Sequence, residues 1–383
     1  MRRIDIPAEA CLLHGLRFSG YIEAVTEVFA TGDMVVDSSS NPIYTRPYNA
    51  TEIALDEEYF QIFAEFYEQG GDLALSEPDE LLYLISRVCE FYKQNDLCNH
   101  PDIIARWNNA WRSCVNYRFF TDNHAPELRL EYKDSGYTWR VGRKRKTLYR
   151  WSSREFVKCL DISVCPYCNL NPLPMDSIRK GKAVYHMHPD MDHYFDKKRH
   201  PFLSLNIYNL IPSCDICNRR IKESRQIDYF HMAHPYVNDV HDLVVVKANE
   251  NVIANPYIDN VSDDWLSKDA RGDSEDTGRG LRWFDFFGIM DLCKNQITKQ
   301  KLLCAVKNAA VKENLRQLYR KQYGQSMTVK QFEEQCYGCS LNPNEINKQP
   351  LSKITIDLVA QVEKLKRLGR SVLRQNRIDE GGS

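Results

Sequence analysis

Apolar residues recur at helical spacing through the first third of the chain. In LDEEYFQIFAEFYEQGG, Tyr59, Phe63 and Phe66 share one face, and the run stops at Gly70-Gly71. In SEPDELLYLISRVCEFY, Ser76 reads as an N-cap, with Pro78 and acidic residues in the first turn. Leu81, Leu84, Ile85, Val88 and Phe91 then form its apolar stripe. PDIIARWNNAWRSCVNY repeats the pattern with Ile104, Trp107, Trp111 and Val115. Aromatic stripes at this spacing are core, so residues 1–125 are predicted to form a mainly helical layer packed on the rest of the chain or on a partner.

The period then changes. LRLEYKDSGYTWRV alternates on either side of Lys133-Asp134-Ser135-Gly136 and predicts a hairpin, which with the basic run after it makes a segment 126–160. DLVVVKANENVIANPYI predicts strands, and the polar stretch 261–280 predicts a long loop. The rest of 241–383 reads as helical. Its last helix, over about 351–377, carries Ile354, Leu358, Leu365, Leu368 and Val372 on one face. Lys364, Lys366, Arg367, Arg370 and Arg374 lie elsewhere on it, and core packing is expected for the apolar face. The fold class expected is α+β, mainly helical.

Composition excludes some classes. No apolar run among the 383 residues approaches a membrane span, and MRRIDIPAEACLLHG is too short in apolar residues for a secretory signal. The chain is therefore expected to be cytoplasmic, with no membrane partner and with reduced thiols, which an odd count of 13 cysteines also favours. The net charge of −1 hides an acidic front, residues 1–100, and a basic middle, residues 101–225. That asymmetry points to a polyanion on the middle segment, or to attraction between the two segments. Residues 140–154 hold Arg143, Lys144, Arg145, Lys146 and Arg150 with Tyr149 and Trp151 among them. Such a mixture suits a phosphate backbone with occasional stacking, or simply a solvated face.

Three CxxC pairs stand out from the scattered cysteines: Cys165/Cys168, Cys214/Cys217 and Cys336/Cys339. The first two are separated by 45 residues, and four thiolates from two knuckles suit a closed, structural tetrahedral Zn²⁺ site. Between them, KAVYHMH reads as a strand ending near Asp192-His193, FLSLNIY as a second strand, and a helix beginning around Cys214 carries Asn218 and Lys222. This is a ββα unit between knuckles, placed in a segment 161–240. CYGC follows the predicted helix TVKQFEEQCYG, with Gly338 as its stop, and reads as a helix end carrying two thiols and not as a second metal site.

The residue types support phosphodiester hydrolysis. His193 is the candidate base, since a neutral imidazole is available near physiological pH. Asp192 and Asn218 offer hard oxygen ligands for Mg²⁺ or Mn²⁺, and Lys222, one turn past Asn218, could meet phosphate. His186 and His188 share a strand face and read as surface or supporting residues.

The ordered series Cys165-Pro166-Tyr167-Cys168, Asp192-His193-Tyr194, His200-Pro201-Phe202-Leu203-Ser204, Asn209-Leu210-Ile211-Pro212-Ser213-Cys214, Cys217-Asn218, Lys222 and His234-Pro235-Tyr236 resembles the HNH (ββα-metal) endonucleases. The likeness covers residues 165–236 and is to the zinc-knuckle branch found in prokaryotic anti-phage defence modules. It implies a central HNH nuclease core flanked by helical segments, acting on nucleic acid, expected to be DNA. It also implies that Asn209 fixes the loop bearing His193, and that an ATPase or other defence-system subunit is a partner, with the acidic front holding activity in check. The family places proline before the lysine that here is Lys197; Asp196 stands in its place. Other readings are a catalytically silent zinc-knuckle module that binds nucleic acid or protein, and an HNH-type ribonuclease acting on tRNA. A CxxC redox protein is disfavoured, because no βαβ pattern surrounds the pairs.

Overall fold

The computed structural model describes residues 1–31, 35–36, 42–44, 50–121, 128–133, 136–141, 148–149, 151–181, 183–223, 225, 227–258, 261–272, 274–323 and 327–380. They form a mixed α+β chain, mainly helical, with several small sheets. It divides into two units that interleave along the sequence. One comprises Asp5–Asp161 and Met175–Pro212; the other comprises Met1–Ile4, Ile162–Pro174 and Ser213–Ser383.

In the first unit, α1 (Ala8–Thr31) precedes the short strands β1 (Val35–Val36) and β2 (Pro42–Tyr44), then α2 (Ala50–Glu68), α3 (Pro78–Gln94) and α4 (Pro101–Cys114). The stripes predicted on α2–α4 are buried: Tyr59, Phe63, Phe66, Leu81, Leu84, Val88, Trp107 and Trp111. Tyr59 stacks on Trp107 with ring centroids 4.1 Å apart. Asp56, also buried, is held by Arg106 and by the Trp107 indole N–H at 2.7 Å, so its charge is paired where water is excluded. The start of α3 differs from expectation. Glu77 caps it in a reciprocal box with Glu80, with Pro78 in the first turn, whereas the Ser76 hydroxyl accepts from the N–H of Asp72 at 2.9 Å.

The hairpin forms as β3 (Leu128–Lys133) and β4 (Gly136–Val141), with Lys133 opposite Gly136 and β5 (Leu148–Tyr149) on the other edge of β3. Helix α5 (Ser153–Cys159) follows, then β6 (Ser177–Lys180) paired with β7 (Ala183–His186), and β8 (Asp190–His193) paired with β9 (Leu210–Ser213). Two sequence expectations are corrected here. The strand through KAVYHMH ends at His186, and a separate strand carries Asp192 and His193. FLSLNIY is not a strand: it forms two single turns, Pro201–Leu203 and Ile207–Asn209, and the strand follows in β9, from Leu210. Side chains of Asn206 and Asn209 take up the backbone groups of this segment. A buried stretch with its polar groups satisfied in that way has no need of a sheet partner.

The second unit begins its regular structure with a π-type helical turn, Ile216–Lys222. It continues through α6 (Val240–Leu243), β10 (Val244–Ala248), α7 (Glu250–Ala254), β11 (Leu266–Ala270), α8 (Glu275–Phe286), α9 (Ile289–Leu292), α10 (Gln296–Ala310), α11 (Lys312–Tyr323), α12 (Val329–Tyr337) and α13 (Ser352–Glu380). The predicted loop over 261–280 is instead built around buried Trp265, an antiparallel pairing of β11 with β10, and the start of α8. The second half of DLVVVKANENVIANPYI is the helix α7 and not a strand. Along α13, Lys353, Asp357 and Gln361 at successive turns cover the free edge of β10. Asp357 accepts from the Val246 N–H at 2.8 Å, Gln361 pairs with both backbone groups of Ala248, and the Lys353 ammonium donates to the Val244 carbonyl at 2.7 Å. An edge strand that would otherwise be open is thereby closed by side chains. Ile354 and Leu358 are buried as expected, whereas Leu365 and Leu368 are 45% and 56% exposed.

Candidate functional site

Cys165, Cys168, Cys214 and Cys217 come together in the second unit, buried, with their four sulfurs within 4.8 Å of one another. A tetrahedron of thiolates around Zn²⁺ at about 2.3 Å separates the sulfurs by roughly 3.8 Å, so the cluster fits such an ion and offers it no open position. N–H donors surround the sulfurs. Leu170 N–H approaches Cys168 Sγ at 3.4 Å, Cys214 N–H approaches Cys165 Sγ at 3.4 Å, and Cys217 N–H approaches Cys214 Sγ at 3.4 Å. The Asn171 amide donates to Cys214 Sγ at 3.4 Å and Cys168 Sγ at 3.8 Å. Donors aimed at sulfur spread thiolate charge, which is what a buried cluster holding a cation needs. Hydrogen bonds from the other three thiols pull Cys214 far below the ordinary thiol range.

The knuckle is rigid for identifiable reasons. Tyr167 stacks on Phe287 at 4.4 Å, and the Trp283 indole donates to the Tyr167 carbonyl at 2.9 Å. Asn169 adopts a left-handed conformation at φ 56°. Its amide donates to the Ile346 carbonyl at 2.7 Å, and its Oδ1 accepts from the Lys353 N–H at 3.0 Å.

Asp192, His193 and Asn209 come together in the first unit. Asp192 and His193, at the end of β8, are each 6% exposed. His193 Nε2 lies 3.0 Å from the Ser204 carbonyl oxygen. A carbonyl can only accept, so Nε2 carries a proton, and whenever the ring is neutral Nδ1 is its basic nitrogen. The Tyr117 ring meets the imidazole edge-on at 4.9 Å. Asn209 ties the residues after His193 to the turns that follow. It accepts from the Phe195 N–H at 2.6 Å and donates to the carbonyls of Leu203 at 2.8 Å and Phe195 at 3.3 Å. Around it, Ser204 donates to the Val115 carbonyl, Asn206 to the Ser76 carbonyl, and the Ile207 N–H to the Ala74 carbonyl.

Two supporting residues gave no signal in the sequence. His14 on α1 lies with Nε2 2.6 Å from the Leu205 carbonyl, while its Nδ1 accepts from the Trp151 indole at 3.2 Å. Burial pushes its pKa down to about 3, so it is a neutral strut. Tyr117 is the other, and only its position between His193 and Lys197 marks it, with the Lys197 ammonium 5.5 Å from its ring centroid.

No family model, curated protein or solved structure matches this chain.

The remaining expected site residues are distributed as follows. Asn218 and Lys222 lie on the π-type turn in the second unit, with Lys222 only 6% exposed. Arg219 and Arg220 on the same turn are exposed. Arg143, Lys144, Arg145, Lys146 and Arg150 lie outside the described residues. His188 is exposed, with Nδ1 3.0 Å from the Pro189 carbonyl, and His234 is buried, its pKa pushed down to about 3. Cys336 and Cys339 end α12 and join no metal-ligating group among the described residues. No helix among them is long and apolar enough to cross a membrane.

Proposed function

We propose that the chain is a metal-dependent HNH-type endonuclease that hydrolyses phosphodiester bonds in nucleic acid, with DNA the expected substrate. The observation that carries the reading is the state of His193. The Nε2 proton of its imidazole is held by the Ser204 carbonyl, on a strand end clamped by Asn209. In this reading His193 Nδ1 takes a proton from water, and the hydroxide so formed attacks phosphorus as the bond to the leaving oxygen breaks. Asp192 beside it is the oxygen ligand for Mg²⁺ or Mn²⁺, which would supply charge stabilisation for the pentacoordinate phosphorus and the leaving oxygen. Asn218 enters by the sequence pattern alone. Zn²⁺ on the four cysteines is structural, and a defence-system ATPase as partner rests on the resemblance only.

One observation favours a second reading. Asp192 and His193 are both nearly closed to solvent, as they would be in a module that binds nucleic acid without cutting it. Purified protein incubated with plasmid, single-stranded DNA and tRNA in Mg²⁺ or Mn²⁺ separates the two. Cleavage by the wild type that His193→Ala lowers by about 10³-fold or more supports the proposal. Equal cleavage by both proteins refutes the mechanism, and binding with no cleavage of any substrate assigns the silent module.

A further inference from the structure

Beside His193, and within the same unit, lies an open groove of about 460 Å³ lined by Arg112, Val115, Asn116, Tyr117, Lys197, Lys198, Pro201 and Ser204. It touches the candidate base through two of its walls, since Tyr117 packs on the imidazole and Ser204 holds its proton. Its three cations come from segments 85 residues apart in sequence, the last turn of α4 and the loop after β8. Arg112, Lys197 and Lys198 are all exposed. Among the described residues none of them forms a salt bridge; partial burial of the Lys197 ammonium pulls its pKa down, which the nearby charges of Asp192 and Asp196 oppose. The Arg112 guanidinium is held in place by the Asn109 side chain at 3.2 Å and the Lys198 carbonyl at 2.8 Å. Two of its five N–H groups are used, and the rest are left for an anion. Tyr117 adds a half-buried aromatic ring between the cations and His193.

We propose that this groove is a phosphodiester-binding subsite, in which Arg112, Lys197 and Lys198 hold the backbone of a DNA or RNA strand and the Tyr117 ring receives a base or sugar. Three cations that form no salt bridge among the described residues, set around an aromatic ring, make the combination by which single strands are held, charge on the phosphates and a π-face for the base. An acidic protein would satisfy the cations but has no use for the ring. The substrate class rests on the nuclease reading; the groove itself does not. Arg112 and Tyr117 lie far upstream of the ordered motif series, so the helical segment supplies part of the binding surface as well as core.

The test is fluorescence anisotropy of the full chain with labelled single-stranded DNA and RNA oligonucleotides, in Ca²⁺ and at several salt concentrations. Lys197→Ala and Lys198→Ala are each expected to weaken binding about five- to tenfold and to lower the salt slope by about 0.7. Arg112→Ala is expected to cost more than Arg112→Lys, since the planar fork is lost in both but the charge only in the first. Lys198→Ala, which removes no side-chain contact to a described residue, keeps the test open if Arg112→Ala does not fold. Tyr117→Leu is expected to weaken binding with the salt slope unchanged. Affinities and slopes of the Lys197→Ala/Lys198→Ala double variant within error of wild type on both oligonucleotides would overturn the subsite. A wild type that binds through these residues and never cuts keeps the subsite and removes the nuclease reading. A preference of tenfold or more between the two oligonucleotides identifies the strand.

Discussion

CPYCNLNP and CYGCSLNP share five of eight letters in register, Cys, Cys, Leu, Asn and Pro, and they do different work within one unit of the chain. In the first, both sulfurs belong to the four-cysteine cluster; in the second, Cys336 and Cys339 are buried separately from it. The shared asparagine shows the contrast at a single atom. Asn171 turns its amide N–H toward Cys214 and Cys168 sulfur, whereas the Asn342 carbonyl oxygen accepts from the Asn344 N–H and starts a single helical turn. The left-handed residue also differs: it is Asn169 after the first pair and Gly338 inside the second. Two thiols at knuckle spacing become a metal site only when a second pair arrives with N–H donors aimed at sulfur. A CxxC pair is half of a claim.

The largest expected difference is at the cysteines themselves. Cys214→Ser should drop the metal content from one equivalent to a small fraction and cost about 3–5 kcal/mol, the scale for breaking a buried set of charges. Cys339→Ser should leave the metal content at one equivalent. Metal analysis by mass spectrometry with thermal unfolding checks both, and two equivalents in the wild type would erase the distinction. Next come the left-handed positions. Asn169→Ala removes bonds to Ile346 and Lys353 as well as the favoured conformation, for about 2–4 kcal/mol. Gly338→Ala, at φ 75° with open space around the added carbon, should cost about 1 kcal/mol from the backbone alone. Equal costs in denaturant unfolding would show that Asn169 does not anchor its knuckle.

The smallest effect is chemical. Burial pushes Cys336 up to about 11 and Cys339 to about 12, so at pH 8 fewer than about one in a thousand is thiolate and alkylation should be negligible; the reactive form gains as pH rises toward those values. Asn171→Ala should speed metal release to a chelating dye about tenfold, with Asn342→Ala unchanged from wild type. Rapid native alkylation of Cys336 or Cys339 at pH 8 would contradict the first expectation, and equal release from both variants the second.

The regular parts of the fold were legible where one face alone is apolar. The stripes of α2, α3 and α4 announce themselves because Tyr59 and Phe63, Leu81, Leu84 and Val88, and Trp107 and Trp111 recur at one-turn spacing with polar and charged residues among them. Helix α1, inside the front expected to be helical, was not singled out by a stripe of its own. Phe18, Ile22 and Phe29 sit among buried His14 and Thr26, so its inner face is partly polar. The strand expected over FLSLNIY failed for the opposite reason. Continuous apolar character there reflects burial from all sides, with asparagine side chains replacing a sheet partner, and no periodicity records that arrangement. At the candidate site, the four cysteines and Asp192-His193 were visible because their chemistry is tied to spacing. Arg112, Tyr117 and His14 were not, because a long excursion of chain separates them from the residues they touch.

The four-cysteine cluster also acts as a buckle. Its two pairs have 45 residues between them, and that stretch, including β8 with His193, is carried on a closed loop. Closing such a loop grows dearer only slowly, by about 0.6 kcal/mol for each doubling of its length. Length is therefore nearly free only where the enclosed chain is exposed, as along β6, and not through the buried stretch of Phe202, Leu203, Ile207 and Asn209.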